Sequence, residues 1–189
     1  MPVSIIHTQI VWDQTYKLEV TDLKFSKLDG SISKPVRRYD FHRSDMVGIL
    51  VFDISTNEFI FVEQFRFPMH KAGHETFIEI ASGGIEPGEI PEEAAGRECE
   101  EETGYRAGSL VPITQVFATP PYSSEKFHLF YTEVDSANFL NTSSGTESED
   151  IRQVRIKITD IDNWIKSGQI QDMKTLLSVF WYFNTFQKS

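Results

Sequence analysis

Between Gly83 and Tyr105 the chain reads G-G-I-E-P-G-E-I-P-E-E-A-A-G-R-E-C-E-E-E-T-G-Y, setting eight carboxylates against one arginine. Like charges at helical spacing repel, so such a run needs either solvent on every side or a counter-charge to gather around. The local signals predict a helix from Pro91 to Thr103. Proline suits a first turn, Glu92 and Glu93 complement the positive end of the helix dipole, and Gly104 is a C-terminal stop. On that helix Glu98, Glu101 and Glu102 stand at i, i+3 and i+4, on one face within about one 5.4 Å turn. A solvated acidic face is the ordinary outcome for a glutamate-rich helix. Here Ser82, Gly83 and Gly84 precede it and supply a tight loop whose carbonyls can approach a cation, and clustered hard oxygens of this kind suit Mg²⁺ or Mn²⁺.

The formal net charge of -10 over 189 residues excludes the basic footprint expected of nucleic-acid or anionic-membrane binding, and an anionic substrate would need bound cations. The single cysteine, Cys99, allows no internal disulfide and suits a reducing, cytoplasmic setting. It falls off the acidic face, with no histidine nearby in sequence to activate it, which suits a small buried residue. No stretch carries the roughly 18 consecutive apolar residues of a membrane span.

Alternating and β-branched runs divide the chain into strands. IIHTQIVW, YKLEVTDLKF and VRRYDFHR predict an N-terminal antiparallel meander over residues 1–43. MVGILVFD, EFIFVEQFRF, TFIEIA, VPITQVFAT, KFHLFYTEV and IRQVRIKI then predict core strands in a second region, residues 44–189. ITDIDNWIKSG predicts a helix capped by Thr159 and closed at Gly168, and MKTLLSVFWYFNTF one with an apolar face. A mixed sheet with helices packed on it, in the α/β class, is the expected architecture.

The spacing Gly83, Glu89, Arg97-Glu98, Glu101-Glu102, Gly104, with Cys99 where an aliphatic residue is usual and apolar Tyr105 at the end, resembles the Nudix box over all its defining positions. The resemblance implies an α/β/α sandwich around a mixed sheet and hydrolysis of a nucleoside diphosphate joined to another group. Glu98, Glu101 and Glu102 would bind the metal, helped by the Ser82 carbonyl, and Arg97 would pair with Glu89 to pin the loop between Gly83 and the helix. The physical logic agrees: diphosphate oxygens repel a nucleophile, so divalent ions must neutralise them and acidify a bound water.

The flanks resemble the ADP-ribose and nucleoside-diphosphate-sugar branch of that family. The loop ATPPYSSEK carries Pro120 and an acidic match at Glu125, although Pro121 and Tyr122 stand where glycines are usual. The tract GTESEDI resembles a catalytic loop in which Glu147 would be the general base and Glu149 a metal ligand; the base stays open between these two and the helix glutamates. VRRYDFHR and VEQFR offer Arg38 and Arg66 for the nucleotide and diphosphate, since a guanidinium binds phosphate in a planar, two-pronged way or stacks on a base. Tyr16 offers a stacking face, with an ordinary strand aromatic as the plain reading. Glu79 matches the approach to the box, with Ala81 and Ser82 in place of proline and alanine.

Such a protein would take a nucleotide sugar, use Mg²⁺ or Mn²⁺, and form a homodimer through the meander. Rival expectations are a GDP-mannose, UDP-glucose, dinucleoside polyphosphate or coenzyme A hydrolase, and a module that senses a nucleotide sugar without cleaving it. A calcium site serving stability lacks the alternating Asp/Asn loop it would need.

Overall fold

The structure, a computed structural model, describes residues 2–140 and 150–186. The chain divides into two compact units. One comprises residues 1–45 with 117–126, and the other residues 46–116 with 127–189.

In the first unit, β1 (Val3–Asp13), β2 (Lys17–Phe25) and β3 (Val36–His42) form an antiparallel sheet in that order. The expected meander thus forms, closed on its second side by a turn at Gly30, whose φ of +81° suits glycine. The sheet also holds the segment from Phe117 to Lys126, which alternation alone would not attach to it. Phe41 N–H donates to the Tyr122 carbonyl at 2.7 Å, and Arg43 Nε lies 3.1 Å from Glu125 Oε1. All eleven residues of β1 are exposed, among them Val3, Ile5, Ile6, Ile10, Val11 and Trp12.

The second unit is built on a mixed sheet. β4 (Met46–Asp53) and β5 (Glu58–Gln64) pair antiparallel around the Ile54–Asn57 turn. β6 (Phe77–Glu79) pairs β5, while β7 (Ala81–Gly84) crosses to pair β4. The run read as one strand, TFIEIA, is therefore two short strands that change partner at Ile80, and Ser82, Gly83 and Gly84, expected as a tight loop, instead complete β7 because they pair with Gly48, Val47 and Met46. β8 (Val111–Phe117) and β9 (Lys126–Val134) extend the sheet beyond β4, with β4 and β9 parallel. β10 (Ile151–Lys157) closes the other edge against β5. After β5 the chain forms a short helix, α1 (Phe67–Lys71), which the alternation signal did not show.

Two helices cover the sheet, one on each face. α2 (Pro91–Thr103) sets Ala94, Ala95 and Cys99 against Val47, Ile49, Val51 and Ile60. On the opposite face α4 (Met173–Phe186) packs Val179 and Tyr182 against Leu50, Phe52, Phe59 and Phe61. This is the α/β class with a mixed sheet between helices. α3 (Ile161–Lys166) begins after Asp160 rather than at a Thr159 cap; the Thr159 hydroxyl bonds the Asp160 carboxylate instead of a helix N–H.

Candidate functional site

α2 forms where both ends carry chemical stops. Pro91 opens it, Glu93 accepts the Ile90 N–H at 3.2 Å, and Gly104 ends it at φ +67°. The turn preceding it brings Arg97 to the loop. Arg97 donates to both carboxylate oxygens of Glu89, each at 3.0 Å, and to the Gly84 carbonyl at 3.0 Å. The same guanidinium lies 2.6 Å from Glu98 Oε1 and 3.1 Å from Glu101 Oε2.

The three helix glutamates differ in environment. Glu101 is exposed, Glu98 is 9% exposed and Glu102 only 6%. Glu102 Oε2 accepts the Ser82 N–H at 2.8 Å, which ties α2 to β7. Burial is the largest influence on Glu102, and with the nearby charges of Glu98 and Glu79 it pushes the carboxyl up to about 8, against the Ser82 hydrogen bond and Arg66. Gly83 faces the second buried carboxylate. A methyl group there would lie 1.8 Å from Glu98 Oε1, so the carboxylate rests directly on bare backbone.

These features test whether the residues suit a small divalent cation. The donors are hard oxygens, two of them buried, and burial together with the charges of Glu98 and Glu79 raises the Glu102 carboxyl, a cost that a bound cation would relieve. The absent Cβ at Gly83 leaves an oxygen-lined corner between β7 and α2. The donor set fits Mg²⁺ or Mn²⁺. Among the described residues no three His, Cys, Asp or Glu side chains converge as a finished cation cage. In this conformation Arg97 supplies the positive charge to Glu98 and Glu101, so a cation would take over part of that contact.

Beside the corner lies a second charged cluster. Arg66 Nε donates to Glu79 Oε1 at 2.7 Å. Lys174, from the first turn of α4, donates to the other oxygen of Glu79 and lies 3.2 Å from Asp172. Thr175 Oγ1 meanwhile accepts the Ile80 N–H at 2.8 Å. Lys174 is 7% exposed, and its amine sits 5.7 Å from the Phe127 ring centre. Sequence reasoning passed over it; the available signal was a lysine inside an otherwise apolar helix.

Of the remaining sequence candidates, Tyr16 and Arg38 belong to the first unit. Tyr16 packs on Phe41 with ring centres 5.2 Å apart and carries the Arg43 guanidinium 5.1 Å above its ring. Arg38 is exposed and bonds only the neighbouring Arg37 carbonyl among its described hydrogen bonds. Arg43, not Arg38, is thus the cation stacked on Tyr16, and it also pairs with the buried Glu125. Pro120, Pro121 and Tyr122 line a cleft of about 340 Å³ with Tyr39, Asp40 and Phe117. Glu147 and Glu149 lie outside the described residues.

Comparison with known proteins follows the same lines. The NUDIX domain model matches residues 42–176. The chain is 26% identical over 177 residues to a GDP-mannose pyrophosphatase of Pectobacterium atrosepticum, an alignment spanning 93% of this chain and 91% of the relative. It is 28% identical over 185 residues to an ADP-ribose pyrophosphatase of Escherichia coli, spanning 95% and 87%. A crystal structure of an ADP compounds hydrolase shares the fold, with a TM-score of 0.79 over 99% of this chain and 95% of that one at 19% identity. With the glycines of β7, the glutamate helix and the mixed sheet in these positions, and a family match over most of its length, this chain belongs to the NUDIX family.

Proposed function

We propose that the chain is a pyrophosphatase that uses water to split the diphosphate of a nucleoside diphosphate sugar, ADP-ribose or a relative such as GDP-mannose, into a nucleoside monophosphate and a sugar phosphate. The observation that carries this reading is the buried pair Glu98 and Glu102, held against the Ser82–Gly84 backbone. The names of the near full-length relatives give the substrate class.

In this reading Glu98, Glu101, Glu102 and the Ser82 carbonyl hold Mg²⁺ or Mn²⁺, joined by Glu149. The bound ion neutralises the diphosphate and acidifies water. Arg97 and Glu89 fix the loop against α2 so that Gly83 stays beneath Glu98. Arg66, oriented by Glu79, binds the diphosphate, and Glu147 or a neighbouring carboxylate takes the proton of the attacking water. Tyr16, Arg38 and Glu125 serve the nucleotide and sugar ends. The exposed apolar β1 is an edge strand that a second copy would cover, which supports a homodimer. Among the described residues no helix is long and apolar enough to cross a membrane, and the one cysteine is a buried thiol. We infer a cytoplasmic protein that binds neither membrane nor nucleic acid.

The test is monophosphate release from ADP-ribose, GDP-mannose and UDP-glucose under Mg²⁺, with EDTA and Glu102→Gln as controls. The expected result is turnover of at least one sugar nucleotide, lost in both controls. Tight binding without product from any of them would instead favour a sensing module.

A further inference from the structure

We propose that Gln64 binds substrate, its side-chain amide donating a hydrogen bond to an oxygen of the diphosphate; the proposal rests on the function argued above. Gln64 ends β5, and its backbone is paired on both sides, with Ile151 of β10 and Phe77 of β6. The residue is 4% exposed, yet its Nε2 has no hydrogen-bond partner among the described residues. A buried amide donor left unpaired is costly, so natural chains keep such groups rarely and for a reason. The other orphan of this kind, the Thr132 hydroxyl, lies beside Gly108, where a Cβ would come within 3.7 Å of it.

Strand register places Gln64 on the side of the sheet that carries α2. Residues directly opposed across an antiparallel pair share a face. Val62 stands opposite Gln153, and the Gln153 amide reaches the Thr103 carbonyl at the end of α2. Gln64, two residues on, shares that face and lies roughly 6.6 Å further along the strand. Val62, Ala81 and Ile151 form the apolar patch next to it, and Ala81 leads directly into Ser82, whose N–H holds Glu102. In the other direction the chain continues to Arg66 and its partner Glu79. Gln64 is therefore two residues from Arg66 along the chain, on the sheet face that carries α2 and the glutamate corner.

The surrounding carboxylates already have partners. Glu79 is held by Arg66 and Lys174, Glu98 by Arg97 and Glu102 by Ser82. The acceptor that the site still has to receive is the substrate, and its diphosphate brings the additional oxygens. A neutral donor also has a specific advantage here. It can bond a phosphate oxygen without competing with a divalent cation for the carboxylates, as a lysine or arginine at that position would.

The experiment compares wild type with Gln64→Met, which keeps an unbranched side chain of similar volume and removes the donor, and with Gln64→Glu, which replaces it with a charge that repels phosphate. Thermal unfolding of the metal-free proteins is measured beside kcat and KM for whichever sugar nucleotide the wild type cleaves fastest. The expected result for Gln64→Met is a Tm equal to or above wild type, because no made hydrogen bond is lost. Its kcat/KM should fall about 10- to 100-fold, chiefly through KM, and Gln64→Glu should fall further. Three results would overturn the proposal: a Gln64→Met variant within twofold of wild type, one whose Tm drops by many degrees in step with its activity, or one that loses kcat at constant KM. A wild type inactive on every sugar nucleotide would instead remove the underlying function, so the two failures are separable.

Discussion

In metal-free solution the stability of this protein should fall as pH rises, and Glu102 should be the cause. Its carboxyl, ordinarily at 4.5, is pushed up to about 8, first by burial and then by the charges of Glu98 and Glu79. The folded state therefore holds the proton more tightly than the unfolded chain. The stabilisation is complete below the unfolded value of 4.5 and is lost progressively as pH climbs through about 8. At about 1.4 kcal/mol per pH unit, the interval sets a ceiling of about 5 kcal/mol. For a domain of this size that corresponds to a Tm change of about 10 °C or more. Glu102→Gln removes the titration but keeps an oxygen for the Ser82 N–H. In EDTA, thermal unfolding followed by circular dichroism from pH 5 to 9 should show the variant more stable than wild type at pH 8.5, the gap closing toward pH 5. Mg²⁺ should reverse the order by stabilising only the wild type. Its apparent affinity should weaken about tenfold per pH unit below 8, because metal must displace the proton. A wild-type-minus-variant difference that is flat with pH would refute the reasoning.

Three further outcomes follow from particular contacts. Gly83→Ala should stay folded by circular dichroism but lose at least about tenfold in Mg²⁺ affinity and turnover, since the added methyl occupies the Glu98 carboxylate position; titration calorimetry and the monophosphate assay check both. Arg155→Met should unfold about 3–5 kcal/mol more easily in urea with kcat unchanged. Arg155 is the partner of the 2%-exposed Asp53 and also bonds Glu58 and the Tyr105 hydroxyl, none of which is a proposed metal or substrate residue. If β1 forms the proposed homodimer, Trp12→Glu should leave a monomer where wild type sediments as a dimer in sedimentation velocity, while its far-ultraviolet spectrum stays native.

Legibility followed the strength of local chemistry. The limits of α2 could be read because proline and glycine mark them and three glutamates share a face. Met173–Phe186 could be read from its apolar period. Helix spacing says which face a glutamate occupies but not where its carboxylate turns, so the capture of Glu98 and Glu101 by Arg97 was not visible in advance. α1 escaped because five residues are too few to show a period. The break at Ile80 escaped because a strand that changes partner keeps its alternation. Lys174, the stacking of Arg43 on Tyr16 and the orphan amide of Gln64 depend on long-range packing, and a single sequence carries no record of which residues meet.

The most direct measurement is anomalous diffraction from crystals grown with Mn²⁺ and a non-cleavable sugar nucleotide. The account predicts manganese about 2.1 Å from oxygens of Glu98 and Glu102, with the Ser82 carbonyl in the same shell and the diphosphate on the ion's open side. Manganese bound elsewhere, with the ligand ordered and those carboxylates still facing Arg97 and the Ser82 N–H, would contradict it.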